Sequence, residues 1–231
     1  MFPFNDTEPN RYSLLPYMTI AIVLLNAVIT GFEYRFWRTD PSFLREVIYL
    51  YGANPYLVGA GMGGGALSSL TSTFLHGDII HLLGNMLALW VFGRRVEDAC
   101  GPWRFLVFYL TCGLFADVVS SIIYARTDIP SIGASGAIFG VMGAYLILFP
   151  QGRIRTFVPI FFIPTFPKIR AFWVVLYFLA VQIIPALNVL FKKEDYGVNY
   201  WAHLGGFVAC FSIFLFLRPQ AFQRYFSKMP I

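Results

Sequence analysis

Charge is scarce: Asp, Glu, Lys and Arg together make up 13% of the 231 residues. Against 58% hydrophobic residues and a mean hydropathy of +0.65, that is too little polar surface to cover a soluble globule of this size. The composition is that of a membrane protein. Cysteine is equally sparse. Cys100, Cys112 and Cys210 are odd in number and far apart, inside or beside apolar stretches, which excludes a disulfide framework and any CxxC pair and leaves them as small apolar residues. The net charge of +5 does not point to nucleic acid, because the basic residues sit in short loops between apolar runs and form no patch interleaved with aromatics. No small-residue cleavage site follows the first apolar run, so it is expected to stay in the protein and not be removed as a signal peptide. No internal repeat is visible, as the paired halves of a transporter would require.

What the sequence does contain is six apolar segments, at about 12–33, 75–93, 103–125, 135–150, 171–191 and 201–217. Most are near the roughly 20 residues of a spanning helix. The expected fold is all-α, a single polytopic domain over 1–231 with a six-helix bundle. Six spans put both termini on one side. Arg11, Arg94, Arg95, Arg104, Arg153, Arg155, Lys168, Arg170, Arg218, Arg224 and Lys228 flank that side, and Arg35, Arg38, Arg45, Arg126, Lys192 and Lys193 the other. The positive-inside rule then puts both termini in the cytoplasm. The first 11 residues are too few to fold, and the tail after Arg218 reads as a short basic amphipathic stretch at the cytoplasmic surface.

Two regions are irregular. Residues 34–74 form a long connection containing "EYRFWRTD" and "GAGMGGG", expected to hold one short amphipathic helix partly embedded in the outer leaflet. The fourth segment, from Ser135 to Pro150, would rise only about 24 Å as a helix, short of the roughly 30 Å hydrocarbon core. It should start inside the membrane, with "TDIPSIGA" dipping in as irregular backbone, which is tolerated where it lines a water-filled cavity. Ser135 would lie on the floor of that cavity.

Only three histidines are present, His76, His81 and His203, and all lie at the outer ends of segments 2 and 6, at the depth of Ser135. Ionisable groups inside a membrane mark function by default, and Asn85, one turn after His81, adds another polar group to that face. A serine hydroxyl becomes nucleophilic when a neighbouring base takes its proton, and His203 is the candidate base. Gly136 and Gly140 on segment 4, and Ala202, Gly206 and Cys210 on segment 6, form small-residue rows that let the two backbones approach. His81, Asn85 and the Ser135 N–H are candidate donors to an oxyanion, with Gly133 allowing a tight backbone beside them. Each group also has a structural reading: Ser135 as packing, His81 and Asn85 as interhelical glue.

With these residues assembled, "GASGAIFG", "HGDIIHLLGNM" and "WAHLGG" resemble the rhomboid family of intramembrane serine proteases over nearly the whole chain, in its compact six-helix form. The resemblance implies a Ser135–His203 dyad without a carboxylate, oxyanion support from His81 and Asn85, a structural role for His76, and Phe139 stacked under His203. It implies transmembrane protein substrates with small residues at the cleavage site and helix-breaking residues downstream, in a lipid bilayer, by analogy a bacterial inner membrane with the site opening outward. No metal, nucleotide or other cofactor is implied, and no oligomeric state is set. The family often carries Trp-Arg about nine residues before the first histidine, where this chain has Leu67 and Ser68. That departure concerns the loop's placement in the membrane and not the chemistry.

Three alternatives remain. Asp117, at a similar depth, would make a triad by orienting His203, or else is a structural acid. The three histidines would bind zinc in a membrane hydrolase, although His76 and His81, five apart, point about 140° away from one another on a helix. A rhomboid-like pseudoprotease would bind membrane helices without cutting them. An α/β-hydrolase is excluded, since Ala137 breaks the G-x-S-x-G elbow and no strand pattern precedes it.

Overall fold

The computed structural model describes all residues except Met1, Leu14, Met62, Gly63, Arg126, Phe161, Phe162 and 193–196. Arg126, Lys193 and part of the "GAGMGGG" stretch therefore lie outside the described residues. The chain opens on strand β1 (Phe2–Asp6) and helix α1 (Tyr17–Thr39), followed by the short helices α2 (Pro41–Tyr51), α3 (Pro55–Gly59) and α4 (Gly65–Ser72). Next, α5 (Ile79–Ala88) passes through one π-helical turn, Leu89–Gly93, into α6 (Arg94–Cys100), making one continuous span of 22 residues. Then come α7 (Pro102–Ile123), α8 (Ser135–Leu148), strands β2 (Arg153–Ile160), β3 (Ile163–Thr165) and β4 (Lys168–Arg170), and α9 (Ala171–Lys192). Last, α10 (Tyr200–Val208) tightens to a 3₁₀ turn at Ala209–Leu215 before α11 (Pro219–Phe226).

Local chemistry sets many of these boundaries. Asp40, Asn54, Asp78 and Asn199 cap α2, α3, α5 and α10 by accepting backbone N–H bonds. Pro41, Pro55, Pro102 and Pro219 occupy first helical turns, where the missing N–H removes nothing. Gly101, at φ +88°, turns α6 into α7.

Among the described residues, four helices are long and apolar enough to cross a membrane: Tyr17–Thr39, Ile79–Cys100, Pro102–Ile123 and Ala171–Phe191. A fifth candidate, Tyr200–Leu215 with Pro219–Phe226, is bent by 102° at its break, and α8 is apolar but only 14 residues long. Their outward faces carry large exposed apolar side chains such as Phe32, Ile80, Ile122, Ile184 and Phe211, as lipid contact requires. The protein is an integral, multi-pass membrane protein. At its centre α8 is buried without interruption from Gly136 to Tyr145. A Cβ at Gly140 would stand 2.5 Å from Cys112 Sγ and 2.9 Å from the Gly206 carbonyl, and one at Gly206 would overlap the Gly136 carbonyl. The small-residue rows thus bring α8 and α10 to backbone contact.

Several expectations are corrected. The first helix continues through "EYRFWRT" to Thr39, because nothing breaks it before Asp40-Pro41. The 34–74 connection holds three short helices after it instead of one. Segment 2 becomes helical at Ile79 and not 75, so His76 precedes the helix. The chain is mostly helical but not purely so. β1 pairs antiparallel with β2 (Asp6 opposite Ile154), and β2 in turn with β3 and β4, in a four-stranded sheet. The first residues, read as too short to fold, are ordered because their partner strand lies about 150 residues away, beyond the reach of local pattern reading.

The N-terminal segment is tied down further by α6. Asp6 takes the Arg95 guanidinium Nε at 2.7 Å with both side chains almost wholly buried, and Arg94 reaches Asn5. Arg94 and Arg95, read as loop charges, are therefore helical residues with partners. Asp98 accepts the N–H groups of Arg11, Tyr12 and Ser13 at 2.6–2.9 Å. Glu97 accepts those of Met18 and Thr19 and the Thr19 hydroxyl at 2.7–2.8 Å, which satisfies the first turn of α1 from a neighbouring helix.

Candidate active site

Ser135 is the first residue of α8, where N–H groups have no intrahelical acceptor, and no side chain among the described residues caps that end. The approach to it is constrained. Ser131 forms a two-bond bridge with Ala53, and the Gly133 N–H donates to the Ser72 carbonyl at 2.9 Å. Gly133 has φ +125°, and a Cβ there would stand 2.7–2.8 Å from the His81 ring. Only glycine fits both the conformation and the space.

His203 comes from the first turn of α10, whose cap Asn199 accepts the Ala202 N–H at 3.0 Å and donates to Ser120 Oγ of α7 at 2.6 Å. The imidazole Nε2 is 2.8 Å from Ser135 Oγ. Phe139, one turn along α8, stacks on the ring with centroids 4.7 Å apart and planes 11° from parallel. On the far side Nδ1 is 2.8 Å from Gln182 Oε1 of α9, while Gln182 Nε2 donates to the Phe178 carbonyl at 3.1 Å. Because the amide nitrogen of Gln182 is engaged by a carbonyl, its oxygen faces His203, and Nδ1 must carry the proton. Nε2 is then a lone pair directed at the serine hydroxyl, the arrangement a general base needs.

His81 and Asn85 stand on α5, whose cap Asp78 accepts the His81 N–H at 2.8 Å. Asn85 Nδ2 is 3.0 Å from His76 Nε2, which uses one of its two N–H bonds and leaves the other. The His76 and His81 rings meet edge-on, 5.0 Å between centroids. The expectation that they point apart is overturned, because His76 is not on the helix. Its N–H donates to Glu33 Oε2 of α1 at 3.1 Å. His76, Asn85 and His203 are buried, whereas Ser135 and His81 are half-buried. All five line one cavity of about 1100 Å³ with apolar walls that include Ile138, Met142 and Phe178.

Asp117 is not among them. Its carboxylate lies 3.3 Å from the Ser72 hydroxyl and 3.5 Å from that of Ser131, and both His203 ring nitrogens are taken by Ser135 and Gln182. The triad through Asp117 is not formed. Among the described residues no three His, Cys, Asp or Glu side chains are grouped as a metal site would need. Gly136 and Gly206 serve the α8–α10 contact. Sequence reading missed Gln182, Glu33 and Asn199. The signal for Gln182 was an isolated amide within the apolar 171–187 run, the type of residue that a membrane helix retains for a reason.

A family model described as the Rhomboid domain matches residues 64–220. Rhomboid protein 1, mitochondrial, of Saccharomyces cerevisiae is 37% identical over 145 residues, 61% of this chain and 38% of its own length. Presenilin-associated rhomboid-like protein, mitochondrial, of Mus musculus is 33% identical over 145 residues, 61% of this chain and 35% of its own. Rhomboid protease GluP of Bacillus subtilis is 47% identical over 84 residues, 36% of this chain and 16% of its own. The matches thus span little more than a third of the mitochondrial relatives and less of the bacterial one.

Proposed function

Since the chain belongs to the rhomboid family, we propose that it is an intramembrane serine endopeptidase that cuts transmembrane segments of other proteins, with Ser135 as nucleophile and His203 as general base. The 2.8 Å contact between Ser135 Oγ and an unprotonated His203 Nε2, inside a cavity large enough for an unwound peptide, carries this reading. As Oγ attacks the scissile carbonyl carbon, its proton passes to Nε2, and the carbonyl oxygen becomes an oxyanion. The His81 ring, the free N–H of Asn85 and the Ser135 N–H at the open end of α8 are the donors for it. The proton then goes from Nε2 to the leaving amine and the C–N bond breaks, leaving an ester on Ser135. Water, deprotonated by His203, releases the second product. These steps are carried by this chain's own side chains, the Ser135 backbone N–H and water.

The remaining spans fit six crossings, with the bent α10–α11 pair as the sixth and α8 starting below the surface. The charge count supports both termini on the same side of the membrane, the more basic one. The named relatives are mitochondrial and bacterial, so they do not favour a bacterial inner membrane over an organelle.

The test is cleavage of a model transmembrane substrate by the purified protein in detergent, with Ser135→Ala alongside and a chelator in parallel. Cleavage by the wild type that is lost in Ser135→Ala and unaffected by chelator is expected. Wild-type inactivity, with no fluorophosphonate label on Ser135, would mean a helix-binding pseudoprotease. Sensitivity to chelator would return the histidines to zinc.

A further inference from the structure

The dyad has a neighbour on a third helix. We propose that Gln182 is a positioning residue that sets the tautomer and ring orientation of His203, an inference that rests on the reading of Ser135 and His203 given above. Gln182 is 8% exposed and its two polar atoms have opposite tasks. Nε2 is anchored to Phe178 O, one turn back on its own helix, and this leaves Oε1 facing His203 Nδ1 at 2.8 Å. The amide cannot turn over without losing both bonds and opposing two N–H donors. Since the ring stacks on Phe139, its plane is fixed by one group and its rotation within that plane by another. A neutral acceptor adds no charge to the resting site, and it keeps its bond when His203 Nε2 gains the serine proton, because Nδ1–H remains a donor throughout.

Two substitutions of similar length separate positioning from packing. Gln182→Glu keeps an acceptor oxygen at the same reach, ionised or not, whereas Gln182→Met fills the same space without one. Gln182→Met is expected to lower kcat roughly 10- to 100-fold with KM unchanged, the range for losing one hydrogen bond to a group that becomes charged. Gln182→Glu should retain kcat within about threefold of wild type. A packing role predicts the reverse order, since methionine suits an apolar membrane helix and a carboxyl group does not. Nitrogen-15 spectra of labelled histidine give a readout that needs no turnover: His203 should be the Nδ1–H tautomer in wild type and a mixture in Gln182→Met. Met cleaving as well as Glu, or an unchanged tautomer in Gln182→Met, would overturn the assignment. Inactivity of every form including wild type would instead count against the protease reading, and the spectra would still decide the role of Gln182.

Discussion

The two ends of the Ile79–Cys100 span handle polar groups in opposite ways. At the Cys100 end, the carboxylates of Asp6, Glu97 and Asp98 are matched by a guanidinium or by rows of backbone N–H groups. At the His81 end imidazoles, amides and a hydroxyl are bonded side chain to side chain and face a cavity, and the two carboxylates beside them, Glu33 and Asp78, take backbone N–H groups of His76 and His81. Ionic groups bonded to the main chain stiffen a structure but have no capacity left for a ligand. Neutral groups with a spare donor or lone pair can act on a substrate. On the proposed reading the first end serves stability and the second reactivity, and substitutions should separate the two.

The sharpest separation is at the dyad. Ser135→Ala or His203→Ala should lower kcat by at least about 10⁴-fold, because the pair acts as a unit, and Ser135→Ala should do so while shifting the melting temperature by no more than about 2 °C. Parallel substrate cleavage and thermal unfolding measure both. Asp6→Ala should do the converse, leaving Arg95 buried without its partner at a loss of about 3–5 kcal/mol, with unchanged activity per folded molecule. Denaturation in detergent gives the first quantity, and cleavage normalised to fluorophosphonate-reactive sites gives the second. A fall in normalised activity would mean that the two ends are coupled.

Within the reactive end the effects should be graded. His81→Ala or Asn85→Ala removes one oxyanion donor and should slow cleavage by about 10- to 1000-fold, largely in kcat. Asn85 also holds His76, so its variant should lose some stability as well, whereas His81→Ala should not. Steady-state kinetics beside unfolding curves would expose that asymmetry, and equal losses of stability would contradict it.

The legible and illegible parts of the molecule divide along the same line. The cluster at the His81 end was legible because lipid leaves few reasons to retain a histidine, an asparagine or a serine at one depth, so Ser135, His81, Asn85 and His203 stood out as a group, and the structure brings them to one cavity. Gly133 and the Gly136–Gly206 contact followed from small residues beside them. The stabilising end could not be read, because β1 and β2 are joined across about 150 residues and the fit of Asp6 to Arg95 leaves no periodic trace. Charges there looked like loop markers. His76 was misplaced for a related reason: the Asp78 cap that starts α5 follows it by two residues, and apolar content alone put the helix start earlier. Gln182 lay within sight as a lone amide, but its partner is set only once α9 and α10 pack together.

The smallest effect is expected at Asp117, which sequence depth alone made a candidate for the third catalytic member. His203 has two ring nitrogens, and Ser135 and Gln182 occupy both, so a carboxylate could orient the ring only by displacing one of them. Asp117 instead lies among serine hydroxyls of α4 and of the segment leading to Ser135, at 3.3 and 3.5 Å. Asp117→Asn preserves an acceptor oxygen for those hydroxyls, so kcat/KM should change by no more than about threefold. Asp117→Leu preserves none. It removes the acceptor for the Ser72 and Ser131 hydroxyls, of which Ser72 keeps its bond to the Ser69 carbonyl at 2.9 Å, so it should be the more damaging of the two, by about 1 kcal/mol, and in stability before activity. A loss of about 1000-fold or more in Asp117→Asn, with folding intact, would mean that His203 exchanges Gln182 for Asp117 during turnover, and the contrast between the two ends would have to admit a carboxylate bonded to the dyad itself.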